Sequence, residues 1–135
     1  MKNLLQLAQN CFRAQGDVKV FTEELRGYLL ESARTSPLRR ARINFHPDDS
    51  SLVQEMIIAM FADTKIGIHF HSSKSESFGI LEGRVLVGLY SNSGQLFDVV
   101  DLRSDGSQKF YRLDSSVSHL VVPVSEIVIL HETTL

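Results

Sequence analysis

The sequence predicts a mainly β protein, a closed barrel or double-sheet jelly roll, with an N-terminal helical segment. Three observations predict it. After about Arg40 the chain divides into about nine short apolar or alternating segments at close spacing. Turn signals such as Asn92-Ser93-Gly94 and Ser104-Asp105-Gly106 separate them. Before Arg40 the apolar spacing is helical instead. A chain of 135 residues is enough for one domain and hardly for two. We therefore expect a single domain, with residues 1–36 as a helical segment packed on a barrel made by residues 37–135.

Each element has its own signal. Leu4, Leu7, Ala8, Cys11 and Phe12 fall on one helical face, and Gly16 is a natural stop. Val18 to Phe21 reads as a short strand. Phe21, Leu25, Tyr28 and Leu29 make a second helical stripe that must end before Pro37. Ala41 to Phe45 is a strand. Leu52 to Phe61 is apolar and β-branched enough for another, although a helix also fits there. Lys65 to His71, Ser77 to Leu81, Arg84 to Tyr90, Gln95 to Leu102 and Gln108 to Leu113 follow. The last pair is Val117 to Val122 and Glu126 to His131, parted by Pro123. The chain shows no internal repeat, linker or low-complexity stretch.

Composition excludes several classes. The hydrophobic share of 43% supports a real core, and a formal net charge of −2 gives no reason for a nucleic-acid partner. The single cysteine, Cys11, rules out a disulfide framework and fits a reducing compartment. On an apolar stripe it reads as a buried small residue rather than a reactive thiol. The opening MKNLLQLAQN is broken by Gln6, Gln9 and Asn10, so it does not read as a signal peptide. No apolar run approaches membrane-spanning length. The expectation is a soluble cytoplasmic protein with no membrane partner; a secreted domain stripped of its signal is the alternative.

The chemistry concentrates in Ile68-His69-Phe70-His71-Ser72-Ser73-Lys74-Ser75-Glu76, which holds two of the five histidines. On a strand, His69 and His71 project from the same face, with Cβ atoms roughly 6–7 Å apart, within reach of one ion. His-x-His alone fits a half-wet sheet equally well. Glu76 follows after a short polar loop, and Gly83 marks a tight turn seven residues later. A mixed nitrogen and oxygen shell of this kind suits a single metal with open positions.

The spacing His69-x-His71-x4-Glu76-x6-Gly83 resembles the first motif of the cupin superfamily. A second cupin motif supplies one more histidine, and His119, in Val117-Ser118-His119-Leu120, stands where it should. The proline and glycine usual before that histidine correspond to Asp114 and Ser116, and the glycine expected six residues before His69 is Asp63. Pro37-Leu38-Arg39-Arg40-Ala41-Arg42-Ile43-Asn44-Phe45-His46, with Val53-Gln54-Glu55-Met56, looks more narrowly like the WbuC-type cupin metalloproteins of bacterial surface-polysaccharide clusters. The resemblance implies a jelly-roll barrel holding one divalent transition metal on His69, His71, Glu76 and His119. These ligands suit iron, zinc, manganese, nickel or copper. The tail Leu130 to Leu135 stops earlier than the resemblance leads one to expect, so a pocket wall built by a longer tail would be missing.

Around the metal, Arg39 and Arg42 with Asn44 are candidates for holding an anionic or sugar-like small molecule, since arginine grips carboxylate and phosphate bidentately. A solvated basic loop is the alternative. His46 is either a pocket base or a turn histidine. Gln54 either orients a ligand or satisfies a backbone group. Tyr90 and Tyr111 read as core or wall, His131 as structural and Lys74 as solvated. Three functions fit: a metal-dependent isomerase or epimerase on a small polar molecule such as a sugar or sugar nucleotide, an iron-dependent dioxygenase, or a binding module without turnover. Cupins often pair through sheet edges, so a homodimer is one reading; an N-terminal segment that covers an edge in cis is the other.

Overall fold

A computed structural model describes residues 3–64, 74–114 and 117–135. These residues form ten strands and one helix: β1 (Leu4–Ala8), β2 (Cys11–Ala14), α1 (Glu23–Thr35), β3 (Arg40–Asn44), β4 (Gln54–Phe61), β5 (Glu76–Glu82), β6 (Arg84–Tyr90), β7 (Leu96–Arg103), β8 (Phe110–Leu113), β9 (Ser118–Pro123) and β10 (Ile127–Thr134). A seven-stranded sheet runs β1-β2-β3-β4-β10-β5-β8, and a three-stranded sheet runs β7-β6-β9. The two face each other as a jelly roll. The expected strand Lys65 to His71, with His69 and His71, lies outside the described residues, as does Ser116. No helix among the described residues is long and apolar enough to cross a membrane.

The segment from Leu4 to Phe12 is a hairpin, not a helix. Asn10 takes φ 62°, a left-handed conformation that asparagine tolerates better than most residues, and this turns β1 back onto β2. β2 then pairs in parallel with β3, so its ladder is satisfied by a segment far along the chain. A tertiary pairing has overridden a local helical spacing. The boundary expected at residue 37 therefore falls inside one sheet. Val18 and Val20 are exposed and belong to no strand.

α1 matches its sequence signals. The Thr22 side chain accepts a hydrogen bond from the Leu25 amide at 3.2 Å, Glu23 and Glu24 stand in the first turn, and Arg34 stands in the last. Leu29, Leu30 and Ala33 pack on Ala41, Ile43, Ile57, Ala59 and Phe61. Those partners lie on the outer face of the large sheet. The inner face of the same sheet meets β6, β7 and β9 through Val85, Val87, Leu102, Val121, Val128 and Leu130. β4 is thus covered on both faces, which is why Gln54–Phe61 reads as a nearly continuous apolar run rather than an alternation.

Gly83 closes the β5–β6 turn at φ +88°, and an added Cβ there would collide with the carbonyl oxygen of Ile127. The Ser125 hydroxyl ties the same corner by accepting from the Arg84 amide and donating to the Ile127 carbonyl. Gly83→Ala should lower stability by at least about 2 kcal/mol, from left-handed strain and displacement of the β10 start. Urea unfolding measures this directly; an unchanged midpoint would mean the corner relaxes freely.

Candidate metal and ligand cavity

Strand parity decides what faces inward. Pairing across the large sheet sets the inward side chains in rows: Arg40–Met60–Val128; Cys11–Arg42–Ile58–Leu130–Ile80; Arg13–Asn44–Met56–Glu132–Phe78–Tyr111; and Gln54–Thr134–Glu76–Leu113. The small sheet packs on the inner side of β4, β10, β5 and β8, and among the described residues no β3 side chain joins that core. What remains is a cavity of about 640 Å³ bordered by β2, β3, β4, β10, β5 and β9.

At one end of it stand Glu76 and His119. His119 Nε2 lies 3.1 Å from Glu76 Oε2, and the two side chains are only 4% and 7% exposed. β5 brings the carboxylate from the large sheet and β9 brings the imidazole from the small one, so the pair bridges the barrel interior. Phe78 holds this corner. Its ring meets the His119 imidazole edge-on at 6.0 Å and stacks on Tyr111 at 5.3 Å.

Glu132 shares this acidic end. Burial pushes its carboxyl up to about 7, the Glu76 charge adds to that, and Arg42 and His119 act against it. Tyr111 is buried, its hydroxyl has no hydrogen-bond partner among the described residues, and burial with the charges of Glu76 and Glu132 pushes it above the usual tyrosine range. Glu132 was not among the residues singled out from the sequence, where the last strand was ended at His131. β10 continues to Thr134, and the alternation Leu130, Glu132, Thr134 was the available signal. Leu130, Glu132 and Thr134 build cavity wall.

Other expectations divide by parity. Arg42 and Gln54 line the cavity. Arg42 Nε donates to Cys11 Sγ at 3.3 Å, and Gln54 Nε2 donates to the Asp49 carbonyl at 3.2 Å. Asn44 is on the same sheet face and buried, and its Oδ1 has no partner among the described residues, but it is not among the lining residues. Arg39 is on the other side. It pairs with Asp63 at 3.0 Å, donates to the Arg34 carbonyl at 2.7 Å and lies 4.5 Å over the Phe61 ring. Arg40, one residue on, takes the cavity position instead. His46 does not line the cavity: its Nδ1 lies 3.1 Å from the Glu55 carbonyl and 3.2 Å from the Glu55 amide, which makes it a strand-end clasp rather than a base facing the cavity. Cys11 and Lys74, read as buried and solvated respectively, both border the cavity, Lys74 from an exposed position. His131 faces outward and bonds Glu55 at 2.7 Å.

Among the described residues no group of three or more His, Cys, Asp or Glu is gathered as a metal site. The chemistry of the Glu76–His119 pair still fits half of one: a nitrogen and an oxygen donor, both buried and side by side at the cavity wall.

No curated protein matches the chain. Residues 21–102 match the family described as "Domain of unknown function (DUF6016)". The chain belongs to that family. The DUF6016 chain shares its fold with the Schizosaccharomyces pombe Cnp3 cupin domain, at 14% identity and a TM-score of 0.57 over 71% of this chain and 64% of that one. It is similar to recombinant oxalate oxidase in complex with glycolate, at 13% identity and a TM-score of 0.59 over 74% and 52%. It is also similar to CapF with the inhibitor 3-isopropenyl-tropolone, at 12% identity and a TM-score of 0.63 over 74% and 29%. The chain spans less than two thirds of each of these proteins. The shared feature is the fold, a cupin jelly roll.

The Glu132 carboxyl sets a pH dependence. Its usual value is 4.5 and its folded value about 7, so between them the folded protein keeps a proton that the unfolded chain has released. Its contribution to stability is fully present below 4.5 and is lost as pH rises through about 7. Thermal melts of metal-free protein from pH 4.5 to 8 should fall across this window, and Glu132→Gln should flatten the fall. An identical slope in the variant would show that the carboxyl ionises freely in the folded state.

Proposed function

We propose that this protein is a metal-binding cupin acting on a small polar molecule, with one divalent transition metal held by His69, His71, Glu76 and His119. The observation that carries this reading is the buried Glu76–His119 pair at the cavity wall, formed by the two residues that the paired cupin motifs nominate from separate strands. A metal bound there supplies Lewis acidity toward a carbonyl or hydroxyl oxygen of the ligand.

The chain's own groups do the rest. Glu132, at the same end of the cavity as Glu76 and His119, would hold or accept the proton that isomerase- or epimerase-type transfer requires. Arg42 orients a negative group on the ligand. Met56, Ile58 and Leu130 exclude water and so strengthen every charge interaction in the cavity. The finer kinship to WbuC-type proteins, suggested by the Arg39-Arg40-Ala41-Arg42-Ile43-Asn44-Phe45-His46 run, would make the ligand a sugar or sugar nucleotide.

Metal content tests this. Protein purified without a histidine tag should carry about one divalent ion per chain. His69→Ala, His71→Ala, Glu76→Ala and His119→Ala should each cut metal affinity at least about tenfold while circular dichroism stays that of a β barrel. Stoichiometric metal retained in all four variants by mass spectrometry would sink the assignment.

A further inference from the structure

The inner face of the large sheet changes chemistry from one side to the other. On β3 it is basic, with Arg40 and Arg42 two residues apart on one face. On β10 and β5 it is acidic, with Glu132 and Glu76. Between these stands β4, whose inward residues Met56, Ile58 and Met60 offer no strong hydrogen-bonding group. Gln54, at the start of β4, is engaged with the Asp49 carbonyl. β3 and β10 both neighbour β4, so the basic and acidic sides stand two strand spacings apart, roughly 10 Å between backbones.

Arg42 is the group best placed to receive a ligand. It is exposed at the cavity and its Nε donates to Cys11 Sγ. Among the described residues, no acceptor meets its two terminal nitrogens. A guanidinium fork presented in this way matches a carboxylate bidentately. A sugar ring laid across β4 would lose its hydration over Met56, Ile58 and Met60 without replacing it, a cost that an apolar body does not incur.

We propose that the cavity takes an amphipathic organic acid, with its anionic head on Arg42, its apolar body over Met56, Ile58 and Met60, and a far oxygen toward Glu76 and His119. Only the far oxygen rests on the metal reading. The head and body contacts stand without it. Lys74 stands exposed on the cavity border, on the β5 side. This class of ligand stands in place of the sugar or sugar nucleotide of the WbuC-type reading, at the same cavity.

The test is calorimetric binding to the full chain, metal-free and zinc-loaded, with hexanoate, hexan-1-ol, adipate and glucose 6-phosphate. Hexanoate should bind both forms alike and at least about tenfold more tightly than hexan-1-ol, and Arg42→Gln should erase that difference while leaving hexan-1-ol unchanged. Ile58→Thr should weaken hexanoate several-fold and acetate, titrated as a control without an apolar body, hardly at all. Adipate should gain affinity on zinc loading, because its second carboxylate otherwise meets Glu76 and Glu132. Thermal melts verify that both variants are folded. Hexanoate no tighter than hexan-1-ol, hexanoate indifferent to Arg42→Gln, or glucose 6-phosphate tighter than either acid would each overturn the proposal. Failure of the metal reading looks different: zinc is not retained and adipate gains nothing, while the hexanoate result stands.

Discussion

β10 inserts between β4 and β5, and its ladders to both neighbours hold the large sheet in one register. Side chains alternate along a strand, so a slip of one residue would exchange its two faces. Leu130, Glu132 and Thr134 would turn toward α1, and Ile129 and His131 would enter the cavity. Both faces resist such a slip. Ile129 is packed among the helix-side residues and Leu130 within the barrel core, each almost fully buried. The apolar packing that specifies the register also places the polar residues, because Glu132 has no local preference of its own for the interior.

The acidic end of the cavity shows the electrostatic consequence. Two carboxyls and an imidazole stand where little water reaches them, and like charges in a low-dielectric site raise each other's affinity for protons. Neutralisation can come from a proton, from the His119 imidazole, from the Arg42 guanidinium at a distance, or from a cation. The first three are visible in the position of the Glu132 carboxyl, raised by burial and by Glu76 and lowered by Arg42 and His119. A divalent ion beside Glu76 would act in the same direction as Arg42 and more strongly. A cation bound there would therefore compete with the proton on Glu132.

The first part of the chain serves both sides of the sheet. α1 covers the outer face through Leu29, Leu30 and Ala33. The β1–β2 hairpin extends the inner face past β3 and adds Cys11 to the cavity. Phe12 and Ala14 on the same strand join the helix-side core. One four-residue strand thus ties the helix to the ligand-facing wall, and it places the Cys11 thiol against Arg42 by register alone.

Much of this was legible in the sequence. The strand-and-turn rhythm after Arg40, the cap at Thr22, the stop before Pro37 and the turn at Gly83 are local signals, and local chemistry decided them. Motif spacing nominates Glu76 and His119 together, and β5 and β9 bring the two side chains to 3.1 Å. His69 and His71 lie outside the described residues, so their part of the reading rests on the sequence. Other features had no local signature. The spacing from Leu4 to Phe12 suits a helix, and only a parallel partner 31 residues from Cys11 makes it a strand. Arg39 and Arg40 are indistinguishable in the sequence until β3 fixes the parity. Glu132 looked like a polar tail residue until β10 paired on both sides. The sequence by itself determined the strand-and-turn rhythm after Arg40 and the helix that Thr22 caps, because those signals are local. Tertiary pairing alone decided which alternate residues face the cavity, because parity depends on hydrogen-bond registers between segments distant in the chain.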